Sequence, residues 1–164
     1  VYFGPERECQ RRELMIFLWR MAGSPEVDRN GRAYGDARDY FPDLGAYEAS
    51  TATNKAIAWG YKEGIVRGFS DGTFGPSLSV NRKDTMIMLY RYAGKPYYER
   101  TKQMTFSDVA GVYSESTDTY NAICWAYNQG IANGYSTGAY AGQYGCLLSC
   151  LREHIVTFLY RYSR

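Results

Sequence analysis

The sequence of 164 residues has little of what marks enzymes, metal sites or nucleic-acid-binding proteins. His154 is the only histidine, and the four cysteines do not have the spacing of a zinc site. The net charge of +2 is too small to indicate a nucleic-acid partner. No apolar run approaches the roughly 18 residues that a membrane-spanning helix needs, so no membrane span is expected. These shortages exclude most zinc-binding, nucleic-acid-binding and membrane-spanning folds.

Catalytic and metal-binding residues are also scarce. A cysteine beside His154 could form a nucleophile pair, but His154 lies in a repeated segment whose other copies have Glu13 and Asp84. Three aspartates between residues 36 and 43 lack the spacing of a calcium loop. We therefore predict that the protein is not an enzyme and holds no cofactor or metal ion.

The cysteines leave two interpretations open, because pairing depends on compartment and geometry. Cys146 and Cys150 are close enough in sequence to form a disulfide. Small buried hydrophobic side chains are the interpretation that we prefer for all four. These residues are Cys9, Cys124, Cys146 and Cys150.

Aromatic residues, by contrast, are abundant. Tyrosine occurs 17 times, and 45% of the residues are hydrophobic, which is enough to form a core. Tyrosine covers apolar surface while its hydroxyl stays in water. This composition suits a wet binding groove, and it equally suits a small domain with much half-buried surface.

The segment Gly64–Pro76 is predicted to be a loop between two helices. Gly64 can adopt the left-handed backbone that ends a helix, and Asp71-Gly72 is typical of a tight turn. Pro76 delays the second helix, and Asn81 is a good N-cap for it. The sequence therefore predicts a helix–loop–helix unit around this segment.

This unit is repeated. The segment Phe3–Gly23 matches Phe74–Gly94, and a third copy runs from Cys150 to Arg161, each about 70 residues from the last. The preceding helix has two copies, Ala56–Ile65 and Ala122–Ile131, each with a central tryptophan. The chain starts at Val1 inside a repeat and has no signal peptide. We interpret it as a fragment or processed product, and the missing signal says nothing about export.

The repeats define the predicted organisation: a half-repeat at residues 1–25 and full repeats at 40–95 and 105–164, forming one compact domain. The second helix of each repeat has one apolar stripe at helical spacing. Three such helices can bury their stripes against one another, which predicts a central three-helix bundle with shorter helices and loops as lobes. The stripes are Met15, Leu18, Trp19 and Ala22; Met86, Leu89, Tyr90 and Ala93; and Val156, Leu159, Tyr160 and Ser163.

Several motifs together resemble the S-layer homology (SLH) domain. They are Phe106–Val109, Trp125-Ala126, the loop Gly64–Pro76, and the helix segment Arg82–Arg91. The resemblance implies a mainly α-helical fold of three repeats with pseudo-threefold symmetry. It also implies a secreted module on the bacterial cell surface that binds secondary cell-wall polysaccharide, often capped with a pyruvylated sugar.

The sequence departs from the family pattern in two repeats. The first repeat lacks its tryptophan helix, so one of three grooves is expected to be incomplete. The third repeat has Thr137 where Asp71 stands, and Tyr144-Gly145-Cys146 in place of Phe74-Gly75-Pro76. Sugar binding is therefore expected mainly in the middle repeat.

An anionic sugar needs an aromatic face, hydrogen-bonding groups and a cation. Arg82 can bind a carboxylate at the start of its helix, and Arg11 and Arg152 hold the same place in the other copies. Each candidate has a structural alternative: the tryptophans can be core residues, Asp71 part of a turn, and the arginines caps for loop carbonyls or partners of Asp71. The candidates are Trp59, Tyr61 and Trp125 for stacking, Gly68, Ser70 and Asp71 for hydrogen bonds, and Arg11, Arg82 and Arg152 for the carboxylate.

A second hypothesis is a protein-interaction or structural scaffold on the same fold. It is motivated by the tyrosine-rich third repeat, because tyrosine is favoured in adaptable protein-binding surfaces. Under this hypothesis the chain binds a protein partner and ignores wall glycans. The tyrosines concerned are Tyr113, Tyr120, Tyr127, Tyr135, Tyr140 and Tyr144.

Overall fold

A computed structural model describes residues 2–101 and 103–164, without the side chains of residues 113–115. In this part of the chain the secondary structure is helical, with no named β-strand, and the predicted mainly α-helical class is confirmed. Short 3₁₀ helices lie at Ala37–Asp39, Pro42–Leu44 and Gly138–Tyr140. The α-helices are α1 (Arg11–Met21), α2 (Ala52–Lys62), α3 (Arg82–Tyr92), α4 (Ala110–Glu115), α5 (Thr117–Asn128) and α6 (Arg152–Tyr162).

The chain forms two compact units. The middle unit is Gln10–Ser79, and the terminal unit joins Val1–Cys9 to Val80–Arg164. The division into repeats at 1–25, 40–95 and 105–164 within one domain stays a prediction, as do the central bundle and the pseudo-threefold symmetry. None of the described helices has both the length and the apolar character needed to cross a membrane.

The middle unit is built on the packing of α1 against α2. Helix α2 begins at Thr51, whose hydroxyl accepts a hydrogen bond from the backbone N–H of Asn54. Gly60 lets the two helices approach closely, because a Cβ atom there would collide with the side chain of Met15. Gly64, with φ of +71°, ends α2 as predicted.

The terminal unit has the corresponding pair, α3 against α5. Asn81 caps α3 as predicted, because its side chain accepts a hydrogen bond of 2.8 Å from the N–H of Asp84. The rings of Tyr90 and Trp125 lie 5.3 Å apart between the two helices. Both units therefore pack a second helix of one repeat against the tryptophan helix of the next.

A closed ring of backbone hydrogen bonds lies in the terminal unit. The N–H of Cys9 donates to Cys150 (2.8 Å), that of Cys150 to Val80 (2.7 Å), and that of Val80 to Cys9 (2.8 Å). All three residues are fully buried and precede a second helix by two residues. The ring therefore joins the same position of all three repeats. The four cysteines are buried thiols, which agrees with the preferred interpretation.

Candidate functional site

A buried arginine organises the loop of the middle unit. Arg11 is the first residue of α1, and its Nε donates a hydrogen bond of 2.9 Å to the carbonyl of Phe74. Its guanidinium carbon lies 4.4 Å from the ring centre of Phe69 and 5.2 Å from that of Phe74. The guanidinium thus contacts two aromatic rings and one carbonyl of the loop at residues 64–76.

The terminal unit repeats this arrangement around Arg82. The Nε of Arg82 donates to the carbonyl of Tyr144 (2.9 Å), and its Nη2 donates to that of Asn133 (3.0 Å). Its guanidinium carbon lies 4.9 Å from the ring centre of Tyr135 and 5.0 Å from that of Tyr144. Arg152, in the third copy, lies 4.6 Å from the ring of Phe3.

These contacts correct one sequence-based expectation. We expected Arg82 to act with Gly68, Ser70 and Asp71 of its own repeat. The arginine in the loop at residues 64–76 is instead Arg11, from the preceding repeat, while Arg82 enters the loop at residues 130–146. Both are buried and cap loop carbonyls, which is the alternative structural role. Carboxylate binding by Arg11, Arg82 and Arg152 stays a prediction.

The predicted aromatic platform consists of buried and exposed members. Trp59 and Trp125 are buried and form part of the helix packing. This is the alternative role of core residue that the sequence left open for them. Tyr61 is 40% exposed and stacks on Tyr40 at 4.5 Å. The Nζ of Lys62 lies 4.9 Å from the ring centre of Tyr40. Tyr61 is therefore the predicted stacking residue that solvent reaches most readily.

The predicted hydrogen-bonding residues have separate roles in the loop. Asp71 accepts hydrogen bonds from the N–H (2.9 Å) and hydroxyl (2.7 Å) of Thr73, and these lower its pKa. The Asp71-Gly72 turn is thus confirmed. Gly68 has φ of +75°, and a Cβ there would lie 2.6 Å from the ring of Phe41. Ser70 is exposed and open to a ligand.

Sequence reasoning missed the role of two aspartates. The carboxylate of Asp43 accepts hydrogen bonds from the N–H groups of Phe74 (2.9 Å) and Gly75 (2.7 Å). Asp108 accepts three, from Tyr144 (2.7 Å), Gly145 (2.9 Å) and Cys146 (2.8 Å). The signal was available, because Phe41–Leu44 repeats as Phe106–Val109. Each aspartate fixes the loop that holds the arginine.

Burial and hydrogen bonding oppose each other at Asp108. Burial raises the pKa of this carboxyl group, but the three backbone N–H donors outweigh it, and the net pKa is lowered. The neighbouring Cys146 thiol has its pKa raised to about 12, first by burial and then by the charge of Asp108. Asp108 is therefore held as a carboxylate, and Cys146 as a neutral thiol.

A cavity of about 290 Å³ lies beside this loop in the terminal unit. Its lining includes Lys83 on α3, Asp108, Gln143 and the exposed Leu147. Lys83 is the cationic side chain in this lining, and the Asp108 carboxylate lies in the same lining. The described residues contain no cluster of histidine, cysteine, aspartate or glutamate that could hold a metal ion.

Part of the segment around the middle loop matches a known family. Residues 40–86 match the family model of the S-layer homology domain. This segment runs from Tyr40 through α2 and the loop at residues 64–76 into α3. No curated protein matches the sequence.

The match carries general consequences. S-layer homology domains are binding modules that anchor proteins to the cell wall or cell surface, and they bind cell-wall polysaccharides. The domain implies association with the surface of a bacterial cell. The absence of catalysis in the rest of the chain, and secretion, stay predictions.

Proposed function

We propose that this chain is a secreted anchor that binds an anionic secondary cell-wall polysaccharide, with pyruvylated glycans as the first class to test. The observation that carries the proposal is a cation at one repeated position, beside an aspartate-capped loop, in both units. This position is Arg12 in the middle unit and Lys83 in the terminal unit. A wall carboxylate would pair with it.

The backbone holds both cations at the same place. The N–H of Arg12 donates to the carbonyl of Pro76 (3.2 Å), and the N–H of Lys83 donates to that of Cys146 (3.1 Å). Each side chain therefore starts at a fixed point on the rim of its loop. Arg12 and Lys83 are half-buried, whereas the preceding Arg11 and Arg82 are buried. Arg12 and Lys83 thus support ligand binding better than the buried arginines do.

Aromatic surface near the middle loop supports contact with a sugar ring. Tyr61 is edge-on to Phe41 at 5.4 Å, and Phe41 also contacts the ring of Phe74 at 5.5 Å. Phe69, at the tip of the loop, is exposed above the guanidinium of Arg11. Exposed aromatic faces next to exposed hydroxyl and carboxylate groups at Ser70 and Asp71 suit the mixed surface of a saccharide.

A pull-down with purified wall polysaccharide tests the proposal. We expect Arg12→Gln and Lys83→Gln each to weaken binding about tenfold, and the double variant to weaken it further, because each removes one charge-assisted contact. Arg20→Gln is the matched control, since Arg20 is an exposed cation in the last turn of α1. Removal of pyruvate from the glycan should weaken binding of the unaltered chain. Unchanged binding in all these cases would contradict the proposal.

The alternative of a protein-interaction scaffold has less support. Of the tyrosines that motivated it, Tyr144 is fully buried and Tyr140 is exposed, while Tyr120, Tyr127 and Tyr135 are half-buried. The side chain of Tyr113 lies outside the described residues. This hypothesis stays a prediction, and retention of a protein partner with no binding to wall glycan would favour it.

A further inference from the structure

Two further cavities lie next to each other in the terminal unit. The first, of about 400 Å³, is lined by the C-terminal ends of α5 and α6. The second, of about 380 Å³, is lined by residues of α3, of α5 and of the segment that follows α3. Pro96 and Tyr97 line both cavities, so the two share a wall. Neither has a lining residue in common with the cavity beside Lys83, so they form a separate part of the surface.

Tyr97 gives these cavities an aromatic face in solvent. It is 92% exposed, whereas Trp125, in the wall of the first cavity, is 3% exposed. The ring of Tyr162 lies 6.0 Å from that of Trp125 and belongs to the same packed wall. The C–H surface of a sugar ring packs on an accessible aromatic face, and Tyr97 offers the more accessible one.

Cations surround this tyrosine. Arg161 and Arg164 line the first cavity, and Lys95 and Arg100 line the second. The Nζ of Lys95 is engaged, because it lies 2.7 Å from the carboxylate of Asp118. In the part of the chain that the structure describes, no aspartate or glutamate side chain forms an ion pair with the three arginines. Their charges are therefore open to an anion from solution.

Hydrogen bonds hold two of these guanidinium groups in position. The Nη1 of Arg161 donates to the carbonyl of Ile131 (3.2 Å), and the Nη2 of Arg100 donates to the Oδ1 of Asn121 (3.2 Å). A guanidinium group has five N–H donors, so donors remain on both arginines. The planar fork of these donors suits the two oxygens of a carboxylate.

The middle unit carries acidic residues where the terminal unit has neutral ones. Tyr97 corresponds to Glu26, because each follows a proline that comes after a residue with positive φ (52° and 56°). Gln129 corresponds to Glu63, because each directly precedes the glycine that follows the tryptophan helix. The terminal unit therefore lacks carboxylates at two positions where the middle unit has them.

The two glutamates of the middle unit are bound within their own unit. The Oε1 of Glu26 lies 2.6 Å from the Nζ of Lys55, and the Oε1 of Glu63 accepts a hydrogen bond of 2.9 Å from the hydroxyl of Tyr34. The middle unit thus balances this region with its own residues, whereas the terminal unit leaves arginines exposed beside neutral side chains. This difference favours an anionic ligand in the terminal unit.

We propose that Tyr97, Arg100, Gln129 and Arg161 form a binding site for a carboxylated saccharide. The sugar ring packs on Tyr97, the side-chain amide of Gln129 bonds a hydroxyl group, and a guanidinium group binds the carboxylate. This site is separate from the loop rims of the proposed anchor and does not depend on them.

A saccharide suits this surface better than an acidic peptide does. A peptide that binds by main-chain pairing needs an exposed strand edge, and the described residues form no named β-strand. The groups present are an aromatic face, a side-chain amide and planar cations. Together they match a sugar ring, a hydroxyl group and a carboxylate.

An NMR titration of the ¹⁵N-labelled full chain with a short oligogalacturonate tests the site. The side-chain amide signal of Gln129 should shift and saturate, whereas an uncharged malto-oligosaccharide should leave it unchanged. Tyr97→Glu, which introduces the acidic residue of the middle unit, and Arg161→Gln should each weaken the affinity about tenfold. Arg20→Gln is the matched control, because Arg20 is exposed, holds the same repeat position and changes the net charge equally. It should leave the affinity unchanged.

Three results would overturn the inference. An unshifted Gln129 signal at saturating oligogalacturonate would mean that no saccharide binds here. Tighter binding of poly-L-glutamate at this signal would assign the site to an acidic peptide. Equal losses for Arg20→Gln and Arg161→Gln would show only a general attraction between opposite charges. Because the Gln129 signal reports on this site, each result is independent of wall-polysaccharide binding at the loops.

Discussion

The loops at residues 64–76 and 130–146 hold their arginines in the same way, although their tips differ. The first loop turns at Asp71-Gly72, with Thr73 hydrogen-bonded to the aspartate. The second has Thr137 at the aspartate position and makes its tip from the 3₁₀ helix Gly138–Tyr140. The features common to both are an aspartate that binds backbone N–H groups and a buried arginine. The aspartate and the arginine, rather than the turn at the tip, are therefore the features that fix the conformation of the loop.

The comparison also explains how the repeats are linked. Arg11 precedes the carbonyl that it binds by 63 residues, and Arg82 precedes its two carbonyl partners by 51 and 62 residues. Each arginine belongs to one repeat, and its aromatic and carbonyl partners belong to the next. A single repeat therefore lacks either the arginine for its loop or the loop for its arginine, which makes neighbouring repeats depend on each other for stability.

Removal of the arginine is expected to have the largest effect on stability. Arg82→Ala leaves the carbonyls of Tyr144 and Asn133 without their donor and creates a cavity between aromatic rings. We expect it to lower the free energy of unfolding by about 4 kcal/mol. Arg11→Ala should lower it by about 3 to 4 kcal/mol, because Arg11 likewise donates to a loop carbonyl and contacts two aromatic rings.

Urea denaturation followed by circular dichroism measures both losses. The exposed Arg20→Ala is the control and should change stability by less than about 0.5 kcal/mol. Equal, small losses for Arg11, Arg82 and Arg20 would show that the buried guanidinium groups are not structural. The comparison between the two loops would then fail.

Removal of the aspartate is expected to have the next largest effect. Asp108→Ala deprives three buried N–H groups of their acceptor, and we expect a loss of about 3 kcal/mol in the free energy of unfolding. Asp43→Ala deprives two, and a loss of about 2 kcal/mol is expected. Asp39→Ala, an exposed aspartate of the middle unit, is the control in the same urea measurement. A larger loss for Asp43 than for Asp108 would contradict the ranking.

Two glycines test the comparison between the two loops, with smaller expected losses of stability. Gly68 and Gly134 hold the same repeat position, where a Cβ would strike the rings of Phe41 and Phe106 respectively. We expect Gly134→Ala to cost about 1 kcal/mol in thermal or urea unfolding because of this clash, and Gly68→Ala about 2 kcal/mol because its φ of +75° adds backbone strain. Gly72→Ala meets no atom within 4 Å but has φ of +83°, so strain alone should cost about 1 kcal/mol. A cost at Gly72 equal to that at Gly68 would show that close packing is unimportant there.

The sequence predicts the helices and loops well because these depend on local signals. Gly64, Asp71-Gly72 and Asn81 act within a few residues of their own position, and the structure has the expected helix end, turn and N-cap. The partner of each arginine could not be predicted in this way. Repeat spacing places Arg11 and Arg82 at equivalent positions, but it does not say whether an arginine enters the loop of its own repeat or of the next.

The same limit applies to the aromatic and acidic residues. A tryptophan such as Trp59 suits both a sugar-binding surface and a hydrophobic core. Only its burial in the structure distinguishes the two roles. Asp43 lies about 30 residues from the N–H groups that it binds, so no local pattern links them. Comparison of Asp43 with Asp108 across repeats was the available signal, because the same residue type recurs before both loops.

The smallest expected effect concerns acid sensitivity, and it separates the charge of Asp108 from its shape. Its pKa is lowered in the folded protein by backbone N–H donors that outweigh the effect of burial. A lowered pKa means that the unfolded chain binds the proton more readily. The contribution to stability is therefore complete above the ordinary aspartate pKa, near 4, and is lost as the pH falls through the lower folded value.

Urea midpoints measured between pH 6 and pH 2 follow this contribution. We expect the midpoint of the unaltered chain to fall more steeply below pH 4 than that of Asp108→Asn, which cannot titrate at this position. The two profiles should differ most at pH 6 and converge toward pH 2, because protonated Asp108 and asparagine are both neutral. Parallel profiles over the whole range would mean that the charge of the Asp108 carboxylate adds nothing to stability, and that Asp108 acts only as a hydrogen-bond acceptor.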